Sequence, residues 1–353
     1  MKPDFWADLR AFAAVLALLV PSLAATTSTE AQTPSPSELR EQCFTKEMIR
    51  FDERIEGCTA VLQANPPPQD TSKAYLSRAT AYLLSGDNER AIADFSEVIK
   101  RDPSDEVALL NRGHAYRRNG DPERAIADLN RAGELKADDF AVWFYRGVAY
   151  ADLGDHDHAL ADYDRAIGLK SDEASFYSFR GNSYMAKRDY DHAFADYNQA
   201  IKLDPASGDA YFSRANVYFD RRDYARALED YDRAIDVDPT VPNGFRARCM
   251  LRAIVGQLQA ALADCDQALR TSPDDAFALD NRAFCHLKLG DLDAAISGFD
   301  AALKINPNLA IAFYGRSIAK RKKGDVVGAN SDAASGKSIW FGVADEFVRW
   351  GIK

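Results

Sequence analysis

A period of 34 residues governs this chain. From Ser72 through Phe341 one pattern of small, aromatic and charged residues returns without insertion or deletion. Eight units fit, starting at Ser72, Glu106, Phe140, Ala174, Gly208, Pro242, Ala276 and Ala310. A fixed period of this size marks a repeat array, in which one supersecondary unit is copied and each copy touches mainly its neighbours. The length of 353 residues would otherwise suggest two or three separate domains.

Stacking the units shows what each place does. The twentieth place is alanine in all eight, from Ala91 to Ala329, and the eighth is always small (Ala79, Gly113, Gly147, Gly181, Ala215, Cys249, Ala283, Ser317). The eleventh is tyrosine in the first five units, and bulky residues such as Tyr75, Trp143, Tyr177 and Phe313 recur at the fourth. Spacings of three, four and seven lay an apolar stripe along each of two helices. Small residues let the helix backbones approach, and aromatic rings fill the space around them. Gly86, Gly120, Gly154, Gly256, Gly290 and Gly324 suit a left-handed close of the first helix. The next residue is aspartate in seven units, a favoured N-cap for the second helix. Prolines at 103, 205, 239, 273 and 307 end that second helix. Each unit is predicted to be a helix–turn–helix.

A charged pair runs through the same alignment. The seventh place is arginine in all eight units (Arg78, Arg112, Arg146, Arg180, Arg214, Arg248, Arg282, Arg316). Sixteen residues later lies aspartate in seven of them, Gly298 being the exception. In an antiparallel hairpin the two places fall opposite each other, which predicts a ladder of Arg–Asp pairs setting register, each worth ~0–1 kcal/mol if exposed.

Trp143, Gly147, Tyr150, Ala159, Tyr163 and Ala166, with proline closing most units, resemble the tetratricopeptide repeat. The resemblance covers about three quarters of the chain. It implies an all-α, right-handed α-solenoid of helix–turn–helix repeats whose first helices line a concave face. Units six to eight depart from the pattern: Arg252, His286 and Lys320 replace the tyrosine, and Cys265 and Ala333 replace an aromatic. Looser packing there, or a capping role, is expected.

The ends are read differently. An apolar run from Ala11 to Val20, closed by small residues, predicts a signal peptide over 1–25, with cleavage after Ala24 or Ala31 and an uncleaved anchor as the alternative. Residues 26–37, rich in Thr, Ser and Pro, read as a flexible linker. Residues 38–71 read as an N-terminal helical hairpin cap, 72–341 as the eight repeats and 342–353 as a C-terminal capping helix, resembling a ninth first helix that stops short. The terminus from Ala344 to Gly351 also resembles that of exported proteobacterial repeat proteins. The expected location is therefore periplasmic or secreted. Cys43 and Cys58 lie across a hairpin, as do Cys249 and Cys265, so both pairs are candidate disulfides, each worth about 3 kcal/mol for a loop of this size. Cys265–Cys285 and free buried thiols compete with the second pair.

Catalysis has little support. No phosphate loop, nucleophile elbow, zinc-protease motif or Cys-x-x-Cys is present, and only five histidines occur. Asp155-His156-Asp157-His158 invites a metal, but its spacing matches no standard zinc pattern and a solvated turn explains it. A net charge of −10 argues against a nucleic-acid partner. No enzyme activity, cofactor or metal is expected.

The resemblance points instead to the concave face. Core packing takes the fourth, seventh, eighth and eleventh places. That leaves Phe144, Tyr145, Val148, Phe179, Asn182, Met185, Phe212, Asn216 and Phe219 of units three to five as candidate groove residues for a protein or peptide partner. Arg117, Arg118, Lys288, Arg321 and Lys322 are the candidate basic flanks. Coverage of these rings by neighbouring units or by a curled terminus is the competing reading. The fifth place lacks the lysine and asparagine that clamp a chaperone's carboxylate tail in related proteins, which disfavours that partner. An envelope assembly factor working through the convex, charged face is the functional alternative.

Overall fold

The computed structural model describes residues 34–45, 49–241 and 243–352; the expected signal peptide and most of the linker lie outside them. Among the described residues there are nineteen helices and no strand. An N-terminal hairpin pairs α1 (Pro36–Phe44) with α2 (Phe51–Gln63). The first and second helices of units one to four are α3 (Pro68–Ser85) and α4 (Asn88–Arg101), α5 (Glu106–Arg118) and α6 (Pro122–Leu135), α7 (Phe140–Asp152) and α8 (His156–Leu169), and α9 (Ala174–Ala186) and α10 (Tyr190–Leu203). Units five to eight follow as α11 (Gly208–Asp220) and α12 (Tyr224–Val237), α13 (Gly244–Ile254) and α14 (Leu258–Thr271), α15 (Ala276–Leu289) and α16 (Leu292–Ile305), and α17 (Ala310–Lys322) and α18 (Val326–Ile339). A last short helix, α19, spans Val343–Arg349. Each helix packs on the next, and first helices also touch across most neighbouring units, which makes the chain an α-solenoid.

Two boundaries differ from expectation for local reasons. Helix α1 begins at Pro36, inside the expected linker, because Ser35 and Glu38 form a capping box: the Glu38 amide donates to Ser35 Oγ (3.3 Å) and the Ser35 amide to Glu38 Oε2 (2.6 Å). Helix α3 begins at Pro68, ahead of Ser72, since proline is tolerated in a first turn whose N–H would be unpaired anyway.

The turns obey the predicted chemistry. All six aspected glycines, from Gly86 to Gly324, take φ between 77° and 90°. Units four and five have no glycine there, yet Arg188 (φ 60°) and Arg222 (φ 62°) adopt the same left-handed conformation. The repeat geometry therefore overrides a local preference in two units. All seven aspartates beyond the turn accept a hydrogen bond from the backbone three residues on, as Asp87 does from Arg90 and Asp325 from Gly328. Gln257 replaces that residue in unit six and makes no such side-chain cap.

Close helix approach explains the invariant alanines, which are fully buried. At Gly147 a Cβ would lie 2.8 Å from the Tyr163 ring and 3.2 Å from the Ala159 carbonyl, so any larger residue would push the two helices apart.

Seven Arg–Asp pairs form, each bidentate through Nε and Nη2 at 2.6–2.9 Å. They differ from the expected surface pairs in two ways. Their aspartates are buried, only 4–6% exposed. Moreover, Nη1 of each arginine from Arg112 onward reaches back to the twenty-fifth place of the preceding unit (Ser96, Asn130, Asp164, Asn198, Asp232, Asp266, Asp300) at 2.6–3.1 Å. The ladder thus fastens unit to unit as well as helix to helix. Bonding to Asp196 raises Arg180 above the ordinary guanidinium range.

Both cysteine pairs, Cys43–Cys58 and Cys249–Cys265, are disulfide-bonded, with Cα atoms 4.5 and 5.4 Å apart. Cys285 is buried and free, its thiol pushed up to about 12 by burial. The last units share one large core, part of which the C-terminal segment supplies. Instead of extending the array as a plain ninth helix, the C-terminal segment puts Phe347, Trp350 and Ile352 into one large core with Phe284, Leu287 and Ala312.

Candidate peptide-binding groove

First helices α7, α9 and α11 bring most of the predicted groove residues onto one face, but not all of them as free surface. Phe144 is half-buried between Phe176 (centroids 4.6 Å) and Phe179 (5.2 Å, edge-on). Phe179 is the most open ring of the set, 38% exposed. Phe212 leans on Tyr231 (5.6 Å) and Met185 is half-buried against Val217 and Tyr197. Tyr145 stacks on His114 at 4.3 Å.

Val148 is a correction: it is only 3% exposed and packs on Ala159 and Tyr163, so it belongs to the floor. Its neighbours at the same place are polar. Asn182 and Asn216 accept hydrogen bonds from Tyr197 Oη (2.7 Å) and Tyr231 Oη (2.6 Å) through their Oδ1 atoms. With each oxygen committed to a tyrosine hydroxyl, the NH₂ of the amide is the group left to donate, and Asn182 is exposed and Asn216 half-buried. Desolvation raises both tyrosine hydroxyls well above their ordinary value, so they remain donors.

His114, missed in the sequence, is the residue at this place in unit two. Burial, with Arg117 and Arg118 nearby, lowers its imidazole to about 3, so it stays neutral at physiological pH. The signal was present in the alignment, because the ninth place lines the face in every unit.

The basic flanks are mostly engaged, which is a second correction. Arg117 pairs with Asp152 (3.2 Å), Arg118 donates to the Leu83 carbonyl (3.1 Å) and Arg321 to Asn330 (2.6 Å). Lys288 Nζ donates to the carbonyls of Ala253 (2.8 Å), Ile254 (3.1 Å) and Trp350 (3.0 Å). Lys322 stands exposed. Basic residues on the flanks therefore fasten the fold and the C-terminal segment more than they present charge.

That segment divides the face. Phe347 packs edge-on to Phe284 (5.6 Å) and beside Tyr314 (5.2 Å), and Trp350 lies against Phe284 (5.5 Å). Glu346 comes within 3.9 Å of Arg222. Phe219 packs against the same core, so it marks the edge of the covered region. Coverage by a curled terminus thus applies to units six to eight, while Phe179, Asn182 and Phe212 lie outside it.

The Asp155–His158 stretch opens α8. Asp155 caps the helix through the His158 amide and bonds the His158 ring (2.7 Å), which stacks on Tyr150 (5.0 Å); Asp189, His192 and Tyr184 repeat the motif.

An all-helical solenoid with an aromatic inner face is the architecture of a protein–protein interaction scaffold. Family profiles of the tetratricopeptide repeat match residues 72–105, 110–174, 180–242 and 276–309, more than half of the chain. The chain belongs to the tetratricopeptide-repeat family. No curated protein sequence matches it. Among solved structures it is similar to the APC/C hetero-tetramer Cut9–Hcn1, with 19% identity and a TM-score of 0.61 over 76% of this chain and 52% of that one. The chain therefore spans about half of that neighbour. A tetratricopeptide repeat protein from Parabacteroides merdae gives 19% identity and a TM-score of 0.55 over 70% of this chain and 98% of that one. At such identities the likeness is one of fold. No helix among the described residues is long and apolar enough to cross a membrane.

Proposed function

We propose that the chain is a non-catalytic scaffold that binds an extended protein segment in the concave groove of units three to five. Apolar side chains of the ligand seat on Phe144, Phe179 and Phe212, and its backbone carbonyls accept from Asn182 and Asn216. The observation that carries the reading is the chain's own C-terminal segment. It lies on first helices of the same array through two aromatic anchors, with a main-chain carbonyl held by Lys288. A peptide with aromatic anchors meets aromatic rings at units three to five as well, with the side-chain amides of Asn182 and Asn216 in place of a lysine, where no segment of the described chain covers them. Apolar anchoring supplies affinity and the amides fix the backbone.

Selection of displayed peptides on the full chain tests this. Selected peptides are enriched in aromatic and aliphatic residues, and the Phe179→Ala/Phe212→Ala variant binds them at least ~30-fold more weakly, as expected for losing about 2 kcal/mol of anchor burial. Equal binding to both proteins refutes the groove and favours the convex face. Nucleic acid is not expected as a partner. Export to an oxidising compartment belongs to the same proposal and draws support from the two cysteine pairs. A secreted or periplasmic protein whose N-terminus is Met1 would contradict the cleaved signal.

A further inference from the structure

The one break in the Arg–Asp ladder leaves a built cation site without its anion. In unit six, Asp264 receives Arg248 (2.7 Å) and also Arg252 from the eleventh place (2.9 Å). In unit eight, Asp332 receives Arg316 (2.6 Å) and Lys320 (2.9 Å) in the same way. Unit seven keeps the corresponding Arg282 and His286 but has Gly298 where the aspartate would stand. Arg282 retains one bond, from Nη1 to Asp266 (3.1 Å), and no bond from its Nε or Nη2 is found among the described residues. Its side chain is 36% exposed, against 12–20% for the seven arginines that have their aspartate.

Space accompanies the unmatched charge. A cavity of about 360 Å³ lies between α14, α15 and α16, lined by Leu262, Asp266, Arg282, His286, Ser297 and Gly298 among others. The neighbouring units supply the internal standard for its chemistry. There, two carboxylates flank each arginine: Asp232 with Asp264 around Arg248, and Asp300 with Asp332 around Arg316. Around Arg282 the first of the pair, Asp266, is present and the second is missing. His286 Nδ1 lies 3.5 Å from Asp291, so it has one carboxylate neighbour of its own.

We propose that this cavity is a carboxylate-binding site, in which an external carboxylate takes the place of the absent aspartate and closes a bidentate bond with Nε and Nη2 of Arg282. A fork of two parallel N–H donors selects a planar oxyanion over a halide, which is the discrimination the site would show. The carboxylate is carried either by a free small acid or by an acidic side chain of a docked protein. The site lies between the first helix of unit seven, α15, and the second helices α14 and α16, apart from units three to five, and does not depend on the groove reading.

The test follows the Arg282 Nε–H and His286 ring resonances of the full-length protein by NMR during titration with sodium acetate, with sodium chloride at equal ionic strength, and with a blocked hexapeptide carrying one aspartate. Acetate shifts both signals saturably and chloride does not. The aspartyl peptide binding at least ~10-fold tighter than acetate assigns the carboxylate to a protein chain; equal affinity assigns it to a free acid. Arg282→Gln abolishes the His286 shift, and Gly298→Asp abolishes both by supplying the carboxylate internally. A Cβ at Gly298 would lie 2.8 Å from Ala283 Cβ, so the arginine variant serves if the aspartate variant fails to fold. No saturable shift, an equal response to chloride, or a shift that survives Arg282→Gln overturns the proposal.

Discussion

Asp196 and Arg180 make the buried ladder open to measurement. Asp196 is 4% exposed and holds Arg180 through two bonds, of 2.6 and 2.9 Å, while Arg180 Nη1 reaches Asp164 at 2.6 Å in the preceding unit. Asp164 itself is 58% exposed in its side chain. Removing one partner of a buried pair strands the other and costs ~3–5 kcal/mol when burial is complete. Arg180 keeps 20% exposure, so water screens part of that loss. Arg180→Gln, which leaves Asp196 buried without its partner and cuts the link to unit three, is expected to cost ~3 kcal/mol. Asp196→Asn leaves Arg180 its bond to Asp164 and is expected to cost ~2 kcal/mol. Asp164→Asn touches an exposed pair and is expected to cost under ~1 kcal/mol. Urea melts give the total, and hydrogen exchange resolved by unit shows where it is lost, which matters because a repeat array need not unfold in one step. Costs for all three within ~0.5 kcal/mol of one another would refute the argument, since the ladder would then behave as a set of surface pairs.

Three further outcomes follow from the structure. Arg188→Gly and Arg222→Gly should each stabilise the array by ~0.5–1 kcal/mol in urea melts, because both arginines sit at positive φ where glycine carries no Cβ penalty. Asp280 is buried with Oδ1 unpartnered, and burial raises its carboxyl to about 8. The folded state therefore binds a proton that the unfolded state releases above about pH 4, and stability falls by up to ~1.4 kcal/mol per pH unit as pH rises toward 8. Asp280→Asn should remove that slope and gain on the native protein between pH 5 and 7; parallel pH profiles would count against it. Phe347→Ala should cost ~3–5 kcal/mol, read as lost exchange protection in α15 and α17, because this ring is 1% exposed against Phe284 and Tyr314.

The period, the caps and the ladder were legible because each repeats. Eight aligned copies turn a weak preference, such as aspartate after a turn, into a rule that the backbone then obeys. Arg188 and Arg222 show the reverse: the local residue argues against a left-handed turn, and the fixed helix–helix geometry imposes it. Burial was less legible than pairing. Arg180 and Asp196 could be placed opposite each other from spacing, but their depth depends on how the next unit packs, and the period does not state that angle. The ninth place illustrates the same limit. Val148, Asn182 and Asn216 share a register, yet the valine sinks to the floor, whereas the asparagines are fixed by tyrosines fifteen residues away. Nothing periodic announces the C-terminal fold-back, because Phe347 and Trp350 belong to no complete unit. Lys288 is an available flank by its place in the period, whereas in the folded chain it donates to the Trp350 carbonyl.

Hydrogen–deuterium exchange of the full chain with and without a peptide selected on it tests the central claim most directly. Protection concentrated in α7, α9 and α11 is the predicted result, with the second helices α8, α10 and α12 unchanged. Protection confined to the second helices would contradict the concave groove as the binding surface.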